Sequence, residues 1–218
     1  MNEFEKVRAY KDRLRIFLIL YTFSEPHLDP DLPNVRRIFQ SEQKIQKIDF
    51  LLRNPDYLCH ELLEKAKINS KLQTTIKSIV KKIYLSNEPI IKRLEMEKFF
   101  FGAYEDIDDV IAFLHGFGFI YFSSKKRADL KNTIEKKYYI NQYAIDKFED
   151  VIDNLPAIQW YVERCNLIKK FFGDLSGSQL RISQYKVDEY KNTSYNEYIK
   201  SISEAVSSEF FNLYSEKL

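Results

Sequence analysis

Residues 107–148 read IDDVIAFLHGFGFIYFSSKKRADLKNTIEKKYYINQYAIDKF, and the fold is decided by how this stretch is divided. Ile107, Val110, Ile111, Leu114 and Phe117 recur at helical spacing, in a stripe that stops at Gly116-Phe117-Gly118. Phe119-Ile120-Tyr121-Phe122 then reads as a strand. A polar, basic stretch follows, and Ile134, Tyr138 and Ile140 alternate as a returning strand. A helix resumes at Asn141, with Ala144, Phe148 and Val151 expected inward. Helix, strand, loop, strand, helix is the winged-helix plan.

The flanks read as helical. Towards the N-terminus, Val7, Tyr10, Leu14, Phe17 and Tyr21 predict one long helix. The segment Ser24 to Pro33, with Pro26, Pro30 and Pro33, predicts a loop. A second helix is expected to carry Ile38, Ile45, Ile48 and Leu52 into the corner Arg53-Asn54-Pro55-Asp56-Tyr57. There Asn54, Pro55 and Asp56 offer an N-cap, a first-turn proline and an early acid for a third helix over 55–67. Residues 65–82 predict an amphipathic helix whose cationic face holds six lysines and no acid. Towards the C-terminus, Leu155, Ile158, Val162, Cys165 and Phe172 share a helical face, and Gly173 to Ser178 is a break. Ser194 with Glu197 predicts a capping box opening a helix with Tyr195, Tyr198, Ile199, Ile202, Val206, Phe210 and Leu213. The expected fold is mainly α with a small β-hairpin, a helical protein with an embedded winged-helix domain. Its expected parts are an N-terminal helical region 1–86, a winged-helix-like region 87–154 and a C-terminal helical region 155–218.

Composition narrows the class. With 44% hydrophobic and 30% charged residues, 218 residues suffice for a sizeable core. Five glycines and six prolines are too few for a large turn-rich β protein. Two distant cysteines, Cys59 and Cys165, offer neither a disulfide framework nor metal-ligand spacing and predict buried thiols in a reducing compartment. The longest apolar run, Ile16 to Phe23, is too short to span a bilayer, and no leader-like segment opens the chain. A cytoplasmic protein without membrane contact is expected.

Little in the sequence points to catalysis. His27, His60 and His115 lie far from one another, and no phosphate-cradling or nucleophile-elbow motif is present. Asp106, Asp108 and Asp109 read as the charge cluster of a helix N-terminus. The expectation is a non-enzyme with no cofactor and no metal. The hairpin is more suggestive, because 123–139 holds Lys125, Lys126, Arg127, Lys131, Lys136 and Lys137 against two acids, a local balance of +4. These, with Lys71, Lys77, Lys81 and Lys82 of the cationic face, are candidate phosphate contacts; a solvated hairpin tip and a solvated helix face are the alternatives. The helix before the hairpin carries Glu105, Asp106, Asp108 and Asp109, where a base-reading helix needs donors, so protein contact is favoured over sequence-specific DNA reading.

Several stretches together resemble one family. Gln46 to Leu58 (QKIDFLLRNPDYL), Ile91 to Met96 with Phe101-Gly102, Tyr139 to Ala144, and Ser178 to Tyr185 with Glu189-Tyr190 and Thr193 are similar to motifs of the middle components of bacterial ABC-three-component conflict systems. These include the small subunit of Lamassu-type anti-phage defence. The matches run in order over roughly 35–200. Ala103-Tyr104 stands where the family often has Pro and Trp, and Ile145 where a glycine usually opens the helix after the wing. The resemblance implies a non-catalytic adaptor that bridges an SMC-like coiled-coil ATPase to a nuclease effector, with double-stranded DNA as a further contact. Arg53, Asp56, Tyr57, Tyr185, Glu189 and Tyr190 are then candidates for a partner interface or for the support of a helical corner. The alternative is a winged-helix transcriptional regulator acting as a homodimer.

Overall fold

The computed structural model describes residues 3–100, 102–126, 133–152 and 154–218; for Phe4, Glu5, Lys126, Thr133, Ile134, Pro156 and Ala157 it describes the backbone alone. The chain is mainly helical, with one four-stranded and one two-stranded antiparallel sheet among the described residues. Its first half runs α1 (Glu3–Phe23), β1 (Glu25–Pro26), β2 (Val35–Gln40), α2 (Glu42–Arg53), α3 (Pro55–Ile68), a 3-10 turn (Ser70–Leu72), α4 (Gln73–Leu85) and α5 (Glu88–Ile91). The strands β3 (Glu97–Phe99) and β4 (Gly102–Tyr104) follow, then α6 (Asp108–Gly116), β5 (Ile120–Lys126) and β6 (Thr133–Asn141). The remainder is α7 (Gln142–Ile152), α8 (Pro156–Phe172), α9 (Gly177–Gln184), α10 (Asp188–Asn192) and α11 (Ser203–Tyr214). Two compact units divide these elements: Met1–Asp49 with Asp106–Gly177, and Phe50–Glu105 with Ser178–Leu218. The stretch 87–154 is shared between them, 87–105 in the second and 106–154 in the first.

In the first unit α1 is the central element. Ile16, Leu18, Ile19 and Leu20 are all buried, so this half of the helix is enclosed on every side. The unit's sheet has the order β1-β2-β6-β5. β5 and β6 pair from Ile120↔Ile140 outwards, and Ile120, Tyr138 and Ile140 face the core. Gly118 makes the sharp exit from α6 into β5 at φ +70, a conformation that disfavours a Cβ, and Asn141 Nδ2 donates to its carbonyl at 2.7 Å. Phe148 of α7 is buried and packs its ring against Phe17 and Tyr21 of α1. Cys165, Ile168 and Phe172 of α8 are buried, and Lys169 Nζ donates to the Thr22 carbonyl at 2.5 Å.

The expected helix through Ile38 is not there. Val35–Gln40 is a strand whose Ile38 stands opposite Tyr139 of β6, and the loop expected before it holds the short strand β1. Ser41 interrupts the chain at φ 89, and its Oγ accepts the Lys44 N–H at 3.3 Å, so α2 starts only at Glu42. Val7, Tyr10, Phe117, Val151 and Leu155 were expected on apolar stripes, but they are exposed because they occupy the outer turns or caps of their helices.

The second unit packs α3 between α4 and α11, with Leu58, Leu62, Leu63, Ile76, Val80, Ile83, Val206 and Phe210 buried. The single helix expected over 65–82 breaks at Asn69, whose Oδ1 accepts the Lys71 N–H at 3.1 Å, and α4 begins after the 3-10 turn. The helix expected from Ser194 is also shorter. Glu197 does accept the Ser194 N–H, at 3.3 Å, as in a capping box. Yet Asn196, Glu197 and Ile199 bond the backbone of Lys98 and Met96, Tyr198 bridges Glu97, and helix resumes only at Ser203. Pairing with β3 outcompetes the local helix signal.

Candidate functional site

The Arg53–Tyr57 corner lies within the second unit. The Arg53 guanidinium donates to the Leu94 carbonyl at 3.1 Å, and also to the Glu95 carbonyl and the Glu105 carboxylate. It does not pair with Asp56. Asn54 precedes Pro55 but gives no side-chain cap; its Nδ2 donates to Phe50 O at 2.9 Å instead. Asp56 takes over the acceptor role. One carboxylate oxygen receives the Tyr57 N–H at 3.0 Å, and the other receives Ser201 Oγ at 2.7 Å and the Ile202 N–H at 2.8 Å. Asp56 thereby serves the first turn of its own helix and the start of α11 at once.

Tyr57 donates its hydroxyl to Lys200 O at 3.1 Å, and its ring lies edge-on to Phe50 at 4.8 Å. Burial, then the nearby Asp56, push its phenol pKa up. Tyr190 is wholly buried against Phe50 and Tyr185 at 5.1 Å each, and its hydroxyl accepts the Ala103 N–H at 2.6 Å. Glu189 sits in α10, where its carbonyl receives the Thr193 N–H. Phe50 and Tyr57, Ala103, and Tyr185 with Tyr190, far apart in sequence, therefore meet around one aromatic cluster. With Arg53, Asp56, Tyr57 and Tyr190 buried, these side chains support the corner from inside.

The outer side of the hairpin β3–β4 differs. Phe100, Tyr195 and Tyr198 are 63%, 58% and 54% exposed. Phe100 lies edge-on to Phe99 at 4.9 Å and tilted against Tyr195 at 5.3 Å, and Phe99 lies 5.8 Å from Tyr104. Lys98 pins this ledge from below by donating Nζ to the Lys191 and Thr193 carbonyls at 2.7 Å each. Sequence reading missed the ledge because a helix was expected through Tyr195 and Tyr198. The run Lys98-Phe99-Phe100 was the available signal of a strand.

The candidate cations are distributed over both units, and acids match several of them. In the first unit Lys136 Nζ lies 2.6 Å from Glu42 and 3.6 Å from Asp108, and Lys137 lies 3.4 Å from Glu135. Burial opposes the Lys136 charge, but the Glu42 bond outweighs it and raises the ammonium's pKa. Lys125 is exposed on β5; the side chain of Lys126 and all of Arg127 and Lys131 lie outside the described residues. In the second unit Lys77 and Lys81 both hold Glu216, at 2.6 and 2.9 Å, and their hydrogen bonds lower its carboxyl to about 2. Lys71 and Lys82 are exposed. At α6, Asp108 and Asp109 are exposed in the first turn, and Asp106 accepts the Asp108 N–H at 2.9 Å.

Both thiols are buried, and burial pushes the Cys165 thiol up to about 12. At pH 8 a thiol reagent should therefore label neither cysteine of the native chain within minutes and both after denaturation, read by mass. One grouping was invisible at the level of sequence: His60 and Glu64 of α3 meet Glu209 of α11. The chain matches no protein-family model, no curated protein and no solved structure.

Proposed function

We propose that this chain is a non-catalytic adaptor that docks a coiled-coil ATPase through the ledge of Phe99, Phe100, Tyr104, Tyr195 and Tyr198. The observation that carries the reading is the ledge itself: adjoining exposed aromatic rings on a braced hairpin, the composition of a protein-binding hot spot. The resemblance of residues 46–58, 91–102 and 178–193 to ABC-three-component middle components names the partners, an SMC-like ATPase and a nuclease effector.

The first unit is read as a winged helix interrupted between its second and third helices. Chain order α1, β2, α2, α6, β5, β6 with strand order β2-β6-β5 supports this, the insertion being residues 50–105. Acids on α6 and the matching of Lys136 and Lys137 by carboxylates favour protein over base contact. Duplex DNA contact then rests on Lys125 and its neighbours in the hairpin tip.

The test is co-purification of tagged chain expressed with its native neighbouring genes. A stoichiometric coiled-coil ATPase is expected, and Phe100→Asp with Tyr195→Asp should reduce its recovery at least ~10-fold with the chain's melting curve unchanged. Undiminished recovery moves docking away from the ledge. Recovery of the wild type only as a homodimer overturns the adaptor and returns the winged helix to the regulators.

A further inference from the structure

We propose that His60, Glu64 and Glu209 form a binding site for one divalent transition-metal ion of the zinc type. His60 and Glu64 lie one turn apart on α3, so both side chains project from the same helix face. Glu209 comes from α11, which packs on α3. One imidazole nitrogen and one oxygen of each carboxylate all lie within 4.8 Å of one another, and all three residues are partly buried. Tetrahedral zinc, with nitrogen and oxygen ligands at ~2.0–2.2 Å, spaces neighbouring ligand atoms about 3.3 Å apart. His60 Nδ1 and Glu209 Oε2, at 2.8 Å, are already nearer than that. Rotamer adjustments of about an ångström separate the present arrangement from a closed three-ligand set, with water in the fourth position.

A second observation points the same way. The ammonium of Lys67 lies between the two carboxylates, 2.6 Å from Glu64 and 2.7 Å from Glu209. The carboxylate pair thus already holds a cation, and that cation is on a long, half-exposed stem that can swing into water. A metal ion entering the site displaces the ammonium, and the proton on His60 Nδ1 is released to water or replaced by the Nε2–H tautomer, so that the His60–Glu209 hydrogen bond gives way to two coordinate bonds. The mixed imidazole and carboxylate set favours zinc over magnesium or calcium, which take oxygen ligands. Loaded, the site clamps α3 to α11 and adds no reaction.

Calorimetric titration of zinc chloride into chelator-treated full-length chain decides the matter. One zinc per chain is expected, with no heat from magnesium under the same conditions. Glu64→Gln, at a half-exposed position where folding is not at stake, should weaken binding at least ~10-fold, as should Glu209→Gln. Lys67→Met should tighten binding, because it removes the competing cation. Absence of zinc binding overturns the proposal. So does zinc binding that Glu64→Gln and Glu209→Gln leave unchanged, and so does a Lys67→Met variant that binds no more tightly.

Discussion

Arg15→Ala should destabilise the first unit by about 3–5 kcal/mol, the largest effect expected of any single substitution outside the apolar core. Arg15 and Asp49 side chains are 3% and 1% exposed, and Nε lies 2.5 Å from Oδ1; Nη1 also reaches Asp12 at 2.7 Å. Burial works against the guanidinium charge, but Asp49 and Asp12 outweigh it and raise its pKa, so it stays charged throughout the working range of pH. Removing Arg15 takes the guanidinium away from the buried Asp49 carboxylate, and that penalty exceeds anything the pair contributes when intact. The chain's single tryptophan, Trp160, lies on α8 of the same unit, so its fluorescence in urea reports this unit directly. Arg15→Met with Asp49→Leu should recover part of the loss, because the buried carboxylate leaves together with the guanidinium. A loss of under ~1 kcal/mol in Arg15→Ala would mean that the pair is solvated in solution.

The elements that periodicity exposed are those whose local preference agrees with their packing. Helix α3 has Pro55 and Asp56 in its first turn and an apolar stripe behind them. The β5–β6 hairpin alternates cleanly through Tyr138 and Ile140 into the turn to α7. Failures occurred where a distant strand claimed the segment. Ile38 lies seven residues before Ile45 and so mimics a helical stripe, although Val35–Gln40 is held by β6, a hundred residues on. Ser41 followed by Glu42 was a readable N-cap that would have placed the start of α2 correctly. At Ser194 the capping signal was real but closed only one turn.

The candidate site was legible in its parts and not in its assembly. The corner's residues stood out in sequence as charged and aromatic at a helix junction, but nothing local said that Arg53 would serve the carbonyls of Leu94 and Glu95. Nor could spacing reveal that His60 faces Glu209 across 149 positions, since a ligand set split between two helices leaves no short motif. The matching of Lys77 and Lys81 by Glu216 was hidden for the same reason: residues 65–82 contain no acid, and their counter-ion arrives from just past α11.

Asp56→Ala should cost the second unit about 3 kcal/mol, combining a lost helix cap with buried donors left unsatisfied. The carboxylate is completely buried and accepts from Tyr57 N, Ser201 Oγ and Ile202 N. Alanine leaves the amides of Tyr57 and Ile202 without this acceptor, and the methyl group is too small to fill the space. Asn54 does not already serve these amides, since its Nδ2 donates to Phe50 O and its side chain gives no cap. Ser201→Ala is the informative contrast: it deletes one donor to Asp56 and the acceptor of the exposed Ser203 N–H, but keeps the carboxylate bonded to both amides, so about 1 kcal/mol is expected. Asp56→Asn should fall between Ala and wild type, since its amide oxygen accepts from one side while its NH2 meets a donor on the other. Urea unfolding followed by far-UV circular dichroism ranks the three variants. A loss from Asp56→Ala no larger than that from Ser201→Ala would show that the α11 start is satisfied by water. The corner would then be an ordinary proline turn, and its aromatic neighbours Phe50, Tyr57 and Tyr190 would carry the stability of the junction by packing alone.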